Sequence, residues 1–215
     1  MIRRRAIAAS ASEERLERLI RERLRPGADK EAIDARIWDL FGEEWCVMFT
    51  DLAGFSRNVA RFGIIHFLQT ISESERLLIP ILEAEDGVLL KIEGDSMMVI
   101  FRSPMRGIDA ALKMMARLAE YNTERAPEDQ VLLCVGLGYG KVLRIGDADV
   151  YGHEVNAASK LGEDIARAGE VLITDAVREP LCGRPDLDFE AIQNPPVGTR
   201  AWRVKVVRSR DLEIH

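Results

Sequence analysis

The chain has 215 residues, of which 47% are hydrophobic and 31% charged, with a formal net charge of −6. That balance belongs to folded globular chains rather than disordered ones, and the acidic excess argues against nucleic-acid binding through a basic face. No apolar run approaches the roughly 20 residues needed to span a bilayer, so no membrane span is expected.

The basic start, Met1-Ile2-Arg3-Arg4-Arg5, leads into an apolar stretch too short for a signal-peptide core. Cys46, Cys134 and Cys182 are scattered and give no disulfide framework, which points to a reducing, cytoplasmic location.

Ser10 and Glu13 have capping-box spacing, and Leu16, Leu19, Ile20 and Leu24 then fall on one helical face. Pro26-Gly27 stops this helix. A second starts near Asp29 and carries Ile33, Ile37, Leu40 and Phe41 to Gly42. Residues 1–43 therefore read as a helical extension whose apolar stripes dock on the main domain or on a partner helix. Residues 44–208 read as the main domain, and 209–215 as a tail.

From Trp45 the periodicity changes. A strand over 45–51 leads into a long helix from Arg57 to Glu85, with Phe62, Ile65, Leu68, Ile71, Leu78 and Leu82 inward and a kink at Pro80. Strands 87–92 and 95–101 flank a hairpin turn at Glu93-Gly94. A helix from Met105 to Arg125 follows, then a strand over 131–137, a glycine-punctuated stretch from Gly136 to Gly140, and a strand over 141–150. A helix from Gly152 to Ala168, a strand over 170–173, a helix over 175–182 and strands near 187–192 and 201–208 complete the chain.

The order strand–helix–hairpin–helix–strand predicts an α+β fold, a split βαβ sheet of the ferredoxin-like, palm type with helices packed on it. Its third strand lies between the first two and antiparallel to both. The end of the first strand and the start of the third then share one sheet edge, which makes Asp51 and Asp95 neighbours. Two carboxylates on such an edge suit Mg²⁺ or Mn²⁺, which take one or two carboxylates plus substrate phosphates. The turn Leu52-Ala53-Gly54-Phe55-Ser56 offers backbone amides to phosphate. Downstream, Asn156 and Lys160 are four apart on a predicted helix, a spacing that most often marks a solvated face.

His66, His153 and His215 lack metal-ligand spacing, and Ser56 and Ser159 lack a triad context. Gly136-x-Gly138-x-Gly140 is no dinucleotide fingerprint, because no helix opens directly after it. Met97-Met98 and Met114-Met115 read as core fillers, and Trp202 as packing.

Three segments together resemble the signature motifs of class III nucleotidyl cyclases: Phe49-Thr50-Asp51-Leu52-Ala53-Gly54-Phe55-Ser56, Lys91-Ile92-Glu93-Gly94-Asp95, and Asp149-Val150-Tyr151-Gly152 with Val155-Asn156-Ala157-Ala158-Ser159-Lys160. They occur in the family's order, across roughly residues 45–208. The resemblance implies a head-to-tail homodimer that converts ATP to 3′,5′-cyclic AMP and pyrophosphate at its interface. By position, Asp51, Asp95 and the Leu52 carbonyl would hold two Mg²⁺ or Mn²⁺ ions, with Gly54 and Phe55 in the phosphate-binding turn.

Lys91 and Asp149 fall where the family reads adenine, Asn156 where it orients ribose, and Lys141 where some members place a phosphate-binding arginine. Lys91 can donate to adenine N1 while Asp149 accepts from N6; guanine presents the opposite pattern, and cytosine the same one. The family usually has arginine at the Lys160 position. Its late phosphate-binding lysine has no clear equivalent in Gln193-Asn194-Pro195-Pro196-Val197-Gly198, where Arg200 is the nearby cation. A slow adenylate cyclase, a degenerate nucleotide-binding regulatory domain and a pyrimidine (CTP or UTP) cyclase all remain open at this point.

Overall fold

A computed structural model describes residues 11–54, 61–147 and 149–207. Two helices open it, α1 (Ala11–Arg23) and α2 (Lys30–Phe41). Gly27 (φ +78°) turns the chain between them, and the Asp29 carboxylate caps α2 by accepting the Ala32 N–H at 3.0 Å. Leu19, Ile33, Ile37 and Phe41 bury themselves against Ile145 and Leu143 of the main sheet, so the helix pair docks on its own chain. The expected α1 stripe is only partly inward: Ile20 and Leu24 remain 42% and 76% exposed. Ser10, the proposed cap, lies outside the described residues.

The split βαβ core follows as β1 (Gly42–Leu52), α3 (Ile64–Ala84), β2 (Val88–Glu93), β3 (Ser96–Phe101), α4 (Pro104–Asn122) and β4 (Leu133–Ile145). Next come β5 (Asp149–Tyr151), α5 (His153–Ser159) and a wide π-type turn, Lys160–Ile165. The chain finishes with β6 (Val171–Thr174), α6 (Asp175–Arg178), β7 (Leu187–Ala191) and β8 (Ala201–Val206). The sheet order is β2-β3-β1-β4-β6-β8-β7, with β5 hairpinned onto β4. β3 lies between β2 and β1 and runs antiparallel to both. The fold is the expected α+β arrangement.

Alternation along β1 sets the two layers. Cys46, Met48 and Leu52 face α3 and α4, where Leu77, Leu78, Leu82, Ile108 and Met114 complete the larger core. Trp45, Val47 and Phe49 face the opposite side, where Val142, Val150 and Val155 cover them. β1 is thus buried on both faces, and residues with odd numbers look toward β5 and α5.

Several expected boundaries shift. The helix placed at Arg57–Glu85 is interrupted at Gly63 (φ +85°), and α3 begins at Ile64 and continues through Pro80; residues 55–60 lie outside the described residues. Its inward stripe is Phe67, Ser74, Leu77, Leu78 and Leu82, whereas Ile65 and Leu68, expected in the core, are 76% and 52% exposed. Within α3 the 3.6-residue period turns Ile65 and Leu68 off the face shared by Phe67, Ser74 and Leu78, whereas Ile71, Leu78 and Leu82 pack on the core as expected.

The hairpin turn is Gly94-Asp95, closed by the Glu93–Ser96 pair, not Glu93-Gly94. The separate strands expected at 131–137 and 141–150 are one continuous β4, with only Asp149–Tyr151 in β5. Among the described residues, no helix is long and apolar enough to cross a membrane.

Candidate active site

β1 and β3 are locked together where the first site forms, since the Met97 N–H donates to the buried Thr50 Oγ1 at 3.2 Å. Thr50 is followed by Asp51, and Met97 is preceded by Asp95-Ser96, so the pairing brings the two aspartates side by side. Their carboxyl groups are close enough to act on one another electrostatically. Burial raises the Asp51 pKa to about 6, helped by the charges of Asp95 and Glu163. Burial also pushes Asp95 upward, although backbone N–H groups of Asp95 and Leu52 favour its charged form.

A divalent cation fits these residues. Asp95 Oδ2 is buried without a hydrogen-bond partner, and burial together with the neighbouring Asp95 charge raises the Asp51 pKa, a penalty that a bound cation would relieve. Among the described residues no three His, Cys, Asp or Glu side chains converge to cage an ion. Other ligands would have to be main-chain, water or substrate oxygens, the habit of Mg²⁺ and Mn²⁺. Cys134, paired across from Asp51, stays a thiol because burial and that carboxylate push its pKa up to about 11.

Beyond Leu52 the chain turns at Gly54 (φ +91°). The Ala53 N–H is already spent on Leu132 O at 2.8 Å. Ala53, Gly54, Arg61, Phe62, Gln130 and Leu132 line a cavity of about 600 Å³ at this end of the sheet. Phe55, the other residue assigned to this turn, lies outside the described residues.

A second constellation forms where the β4–β5 hairpin folds over the sheet face. Lys91 Nζ lies 3.3 Å from Asp149 Oδ2 and 3.4 Å from Glu93. Burial opposes the Lys91 charge, but Asp149 and Glu93 more than offset it and hold its pKa above the usual range. Tyr151 Oη donates to the same Asp149 oxygen at 3.3 Å, and the Val150 N–H donates to Asp149 Oδ1 at 2.9 Å. The carboxylate is fixed at both oxygens, and half-exposed Tyr151 edges the corner.

Asn156 and Lys160 lie one turn apart and both are exposed. α5 reaches its place because the sheet beneath it lacks side chains. A Cβ on Gly136 would meet Ala158 O at 2.2 Å, one on Gly138 would meet Glu154 O at 2.3 Å, and one on Gly162 would meet Phe49 O at 2.7 Å. Glu154 then pins the helix start, accepting the Tyr139 N–H at 3.1 Å and the Thr174 hydroxyl at 2.7 Å.

The structure thus unites Asp51 with Asp95, Lys91 with Asp149, and Asn156 with Lys160. It does not join Lys141 to any of them: its ammonium lies 4.9 Å from the Trp38 ring centroid, opposite Glu44 and far along β1 from Asp51. Arg200 is ion-paired with Asp175, whose other oxygen accepts the Trp202 Nε1–H at 2.9 Å.

Sequence reasoning passed over two residues. Tyr151 bonds Asp149, and Glu163 sits beside the aspartate pair. The Ser159–Glu163 spacing of four was the available signal for Glu163, and for Tyr151 it was position i+2 from Asp149 on one strand face.

Residues 42–204 match the model of the adenylate and guanylate cyclase catalytic domain. Among curated proteins, a stretch of 131 residues is 33% identical to serine/threonine-protein kinase pkn2 of Myxococcus xanthus, covering 61% of this chain and 16% of that protein. An adenylate cyclase of Streptomyces coelicolor is 31% identical over 179 residues, 83% of this chain and 40% of that one. The chain therefore spans well under half of these relatives. The solved adenylate/guanylate cyclase/hydrolase from Silicibacter pomeroyi superposes with a TM-score of 0.65 at 22% identity, covering 75% of this chain and 97% of that one.

Proposed function

Because this chain belongs to the adenylate and guanylate cyclase catalytic domain family, we propose that it converts ATP to 3′,5′-cyclic AMP and pyrophosphate at a homodimer interface. The observation that carries this reading is the Asp51–Asp95 pair, with its unpartnered Asp95 Oδ2. In this reading residues 44–208 form the catalytic unit, residues 1–43 an extension docked on it, and the protein works in the cytoplasm. The exposed apolar residues Ile65 and Leu68 on α3 favour a subunit contact.

Asp51, Asp95 and the Leu52 carbonyl would hold two Mg²⁺ or Mn²⁺ ions. Such ions, when bound, acidify the ribose 3′-hydroxyl and neutralise charge on the leaving pyrophosphate. The 3′-oxygen attacks the α-phosphorus, the bond to the bridging oxygen breaks, and the hydroxyl proton passes to solvent. Lys91 donates to adenine N1 and Asp149 accepts from N6, a donor–acceptor order that guanine would violate. Asn156 orients the ribose, and Lys160 of the neighbouring subunit places positive charge on the phosphoryl oxygens. Gly54, Phe55 and Lys141 would serve the triphosphate, Lys141 only after leaving Trp38.

Two other readings have support. Lys160 in place of the family's arginine, and a 193–199 loop without lysine, favour a degenerate domain that binds nucleotide without turnover. The Lys91–Asp149 edge also suits cytosine. Incubation with Mn²⁺ and each of the four nucleoside triphosphates, with cyclic products separated by mass, tests all three. Cyclic AMP as the dominant product supports the proposal. Binding of ATP without product supports the degenerate domain, and a cyclic pyrimidine nucleotide supports the third.

A further inference from the structure

Glu163 belongs to neither the aspartate pair nor the Asn156–Lys160 pair, yet it bonds the sequence neighbour of Asp95 and that of Lys160. Its Oε1 accepts the Ser96 hydroxyl at 2.7 Å, and Ser96 directly follows Asp95. Its Oε2 accepts the hydroxyl of Ser159, which directly precedes Lys160. The carboxylate also lies close enough to act electrostatically on Asp51 and Asp95.

The local backbone explains how it gets there. Gly162 packs without space for a side chain against Phe49 O and Gly136 N, at 2.7 and 2.9 Å from where its Cβ would be. The helix widens at Lys160–Ile165, where the Ala166 N–H bonds Leu161 O at 2.8 Å, a five-residue step. One inserted residue rotates Glu163 toward the β2–β3 hairpin. Such π-type insertions recur at functional positions.

We propose that Glu163 is a positioning residue that ties the Asp95 hairpin to the Lys160 turn through Ser96 and Ser159. This rests on the cyclase reading above. In a head-to-tail dimer, the Asp51–Asp95 pair of one protomer serves one active site while its Lys160 serves the other. The Ser96–Glu163–Ser159 bridge then runs inside a single protomer from one active site to the next. Cation binding at the first fixes Asp95, and through this bridge fixes the Lys160 turn at the second.

The test uses Mn²⁺ binding followed by electron paramagnetic resonance, which needs no turnover, alongside kcat and KM on the full chain. Glu163→Ala is expected to weaken Mn²⁺ binding and lower kcat by about 10-fold each, with little change in KM. Glu163→Gln loses the charge, keeps one acceptor and offers an amide N–H that the other serine hydroxyl can accept by rotating, so it should recover kcat to within roughly twofold while Mn²⁺ affinity stays reduced.

Ser159→Ala is decisive, because Ser159 lies on the Lys160 side and would not touch the cation. A bridge predicts roughly threefold weaker Mn²⁺ binding in this variant. Unchanged Mn²⁺ affinity in Ser159→Ala overturns the proposal, whatever the turnover. A wild-type chain that binds Mn²⁺ but cyclises no nucleotide would sink the enzymatic reading instead, with the bridge still decided by the binding data.

Discussion

Asp149 Oδ2 receives two donors at once, Lys91 Nζ and Tyr151 Oη, each at 3.3 Å. This carboxylate is held ready rather than free to swing, and Lys91 is held with it. The pair presents one donor and one acceptor in a fixed order, which is what a base-reading edge requires.

If that edge selects adenine, Asp149→Ala should lower kcat/KM for ATP by about 10²-fold and narrow the ATP-to-GTP preference. Steady-state kinetics with both nucleotides checks this. An unchanged preference would remove the pair from base recognition.

The aspartate pair ties stability to pH. A carboxyl whose folded pKa lies above its unfolded one holds its proton more tightly when folded. For Asp51 that benefit is complete below the ordinary aspartate value near 4 and is lost as pH rises through about 6. Metal-free protein should therefore melt at a lower temperature near pH 7 than near pH 5, as far as this site decides. Mn²⁺ replaces the proton, so its stabilising effect should grow over the same interval. Asp51→Asn should abolish turnover, flatten the metal-dependent rise in Tm, and leave the metal-free protein at least as stable. Thermal melts with Mn²⁺ and with chelator resolve each point.

Gly162 tests the seating of α5. A methyl group there meets Phe49 O and Gly136 N inside van der Waals contact. Gly162→Ala should cost about 1–3 kcal/mol and should also reduce turnover, because Lys160 and Glu163 flank it. Denaturant melts and an activity assay measure the two losses. A stable, fully active variant would show that the turn tolerates displacement.

Lysine at position 160 carries charge without arginine's planar fork. Lys160→Arg is expected to preserve or raise kcat, measured at saturating nucleotide and Mn²⁺. A steep loss would mean that the site is built around an ammonium.

Glu85 shows an asymmetry far from the site. Its carboxylate is buried at the end of α3, ion-paired with Lys113 and with Arg106 at 3.2 Å, and both cations are more than half exposed. These partners hold its pKa below the usual range, so the stability it contributes is present at neutral pH and lost on acidification. Removing both cations, as in Arg106→Met with Lys113→Met, strands a buried charge and should cost about 3–5 kcal/mol. Glu85→Met should cost less, since the cations can turn to water. Urea titrations of the two variants compare them directly.

The β1 and β3 strands were readable because an apolar run ending in aspartate, and a glycine turn opening onto another, are local patterns. Their meeting followed from topology alone. Less was readable where backbone contact rather than side-chain pattern decides. Gly136 makes room for Ala158 and Gly162, and Gly138 for Glu154, but in sequence the two appear only as a glycine-rich stretch. The widened turn at Lys160–Ile165 leaves no mark in apolar periodicity, so Glu163 was passed over. Apolar residues recur along α3 on more than one face, so spacing alone does not separate the exposed Ile65 and Leu68 from the buried Leu78 and Leu82. The Gly94-Asp95 turn stands one residue later than the local pattern suggests, with Gly94 taking the positive φ, and propensity does not encode such a shift.

α2 ends at Phe41 and β1 begins at Gly42, whose N–H still bonds Trp38 O. A Cβ at Gly42 would stand 2.4 Å from that oxygen, so the junction admits no slack. α2 and β1 are therefore joined without an intervening loop, and a side chain at Gly42 would force the two apart.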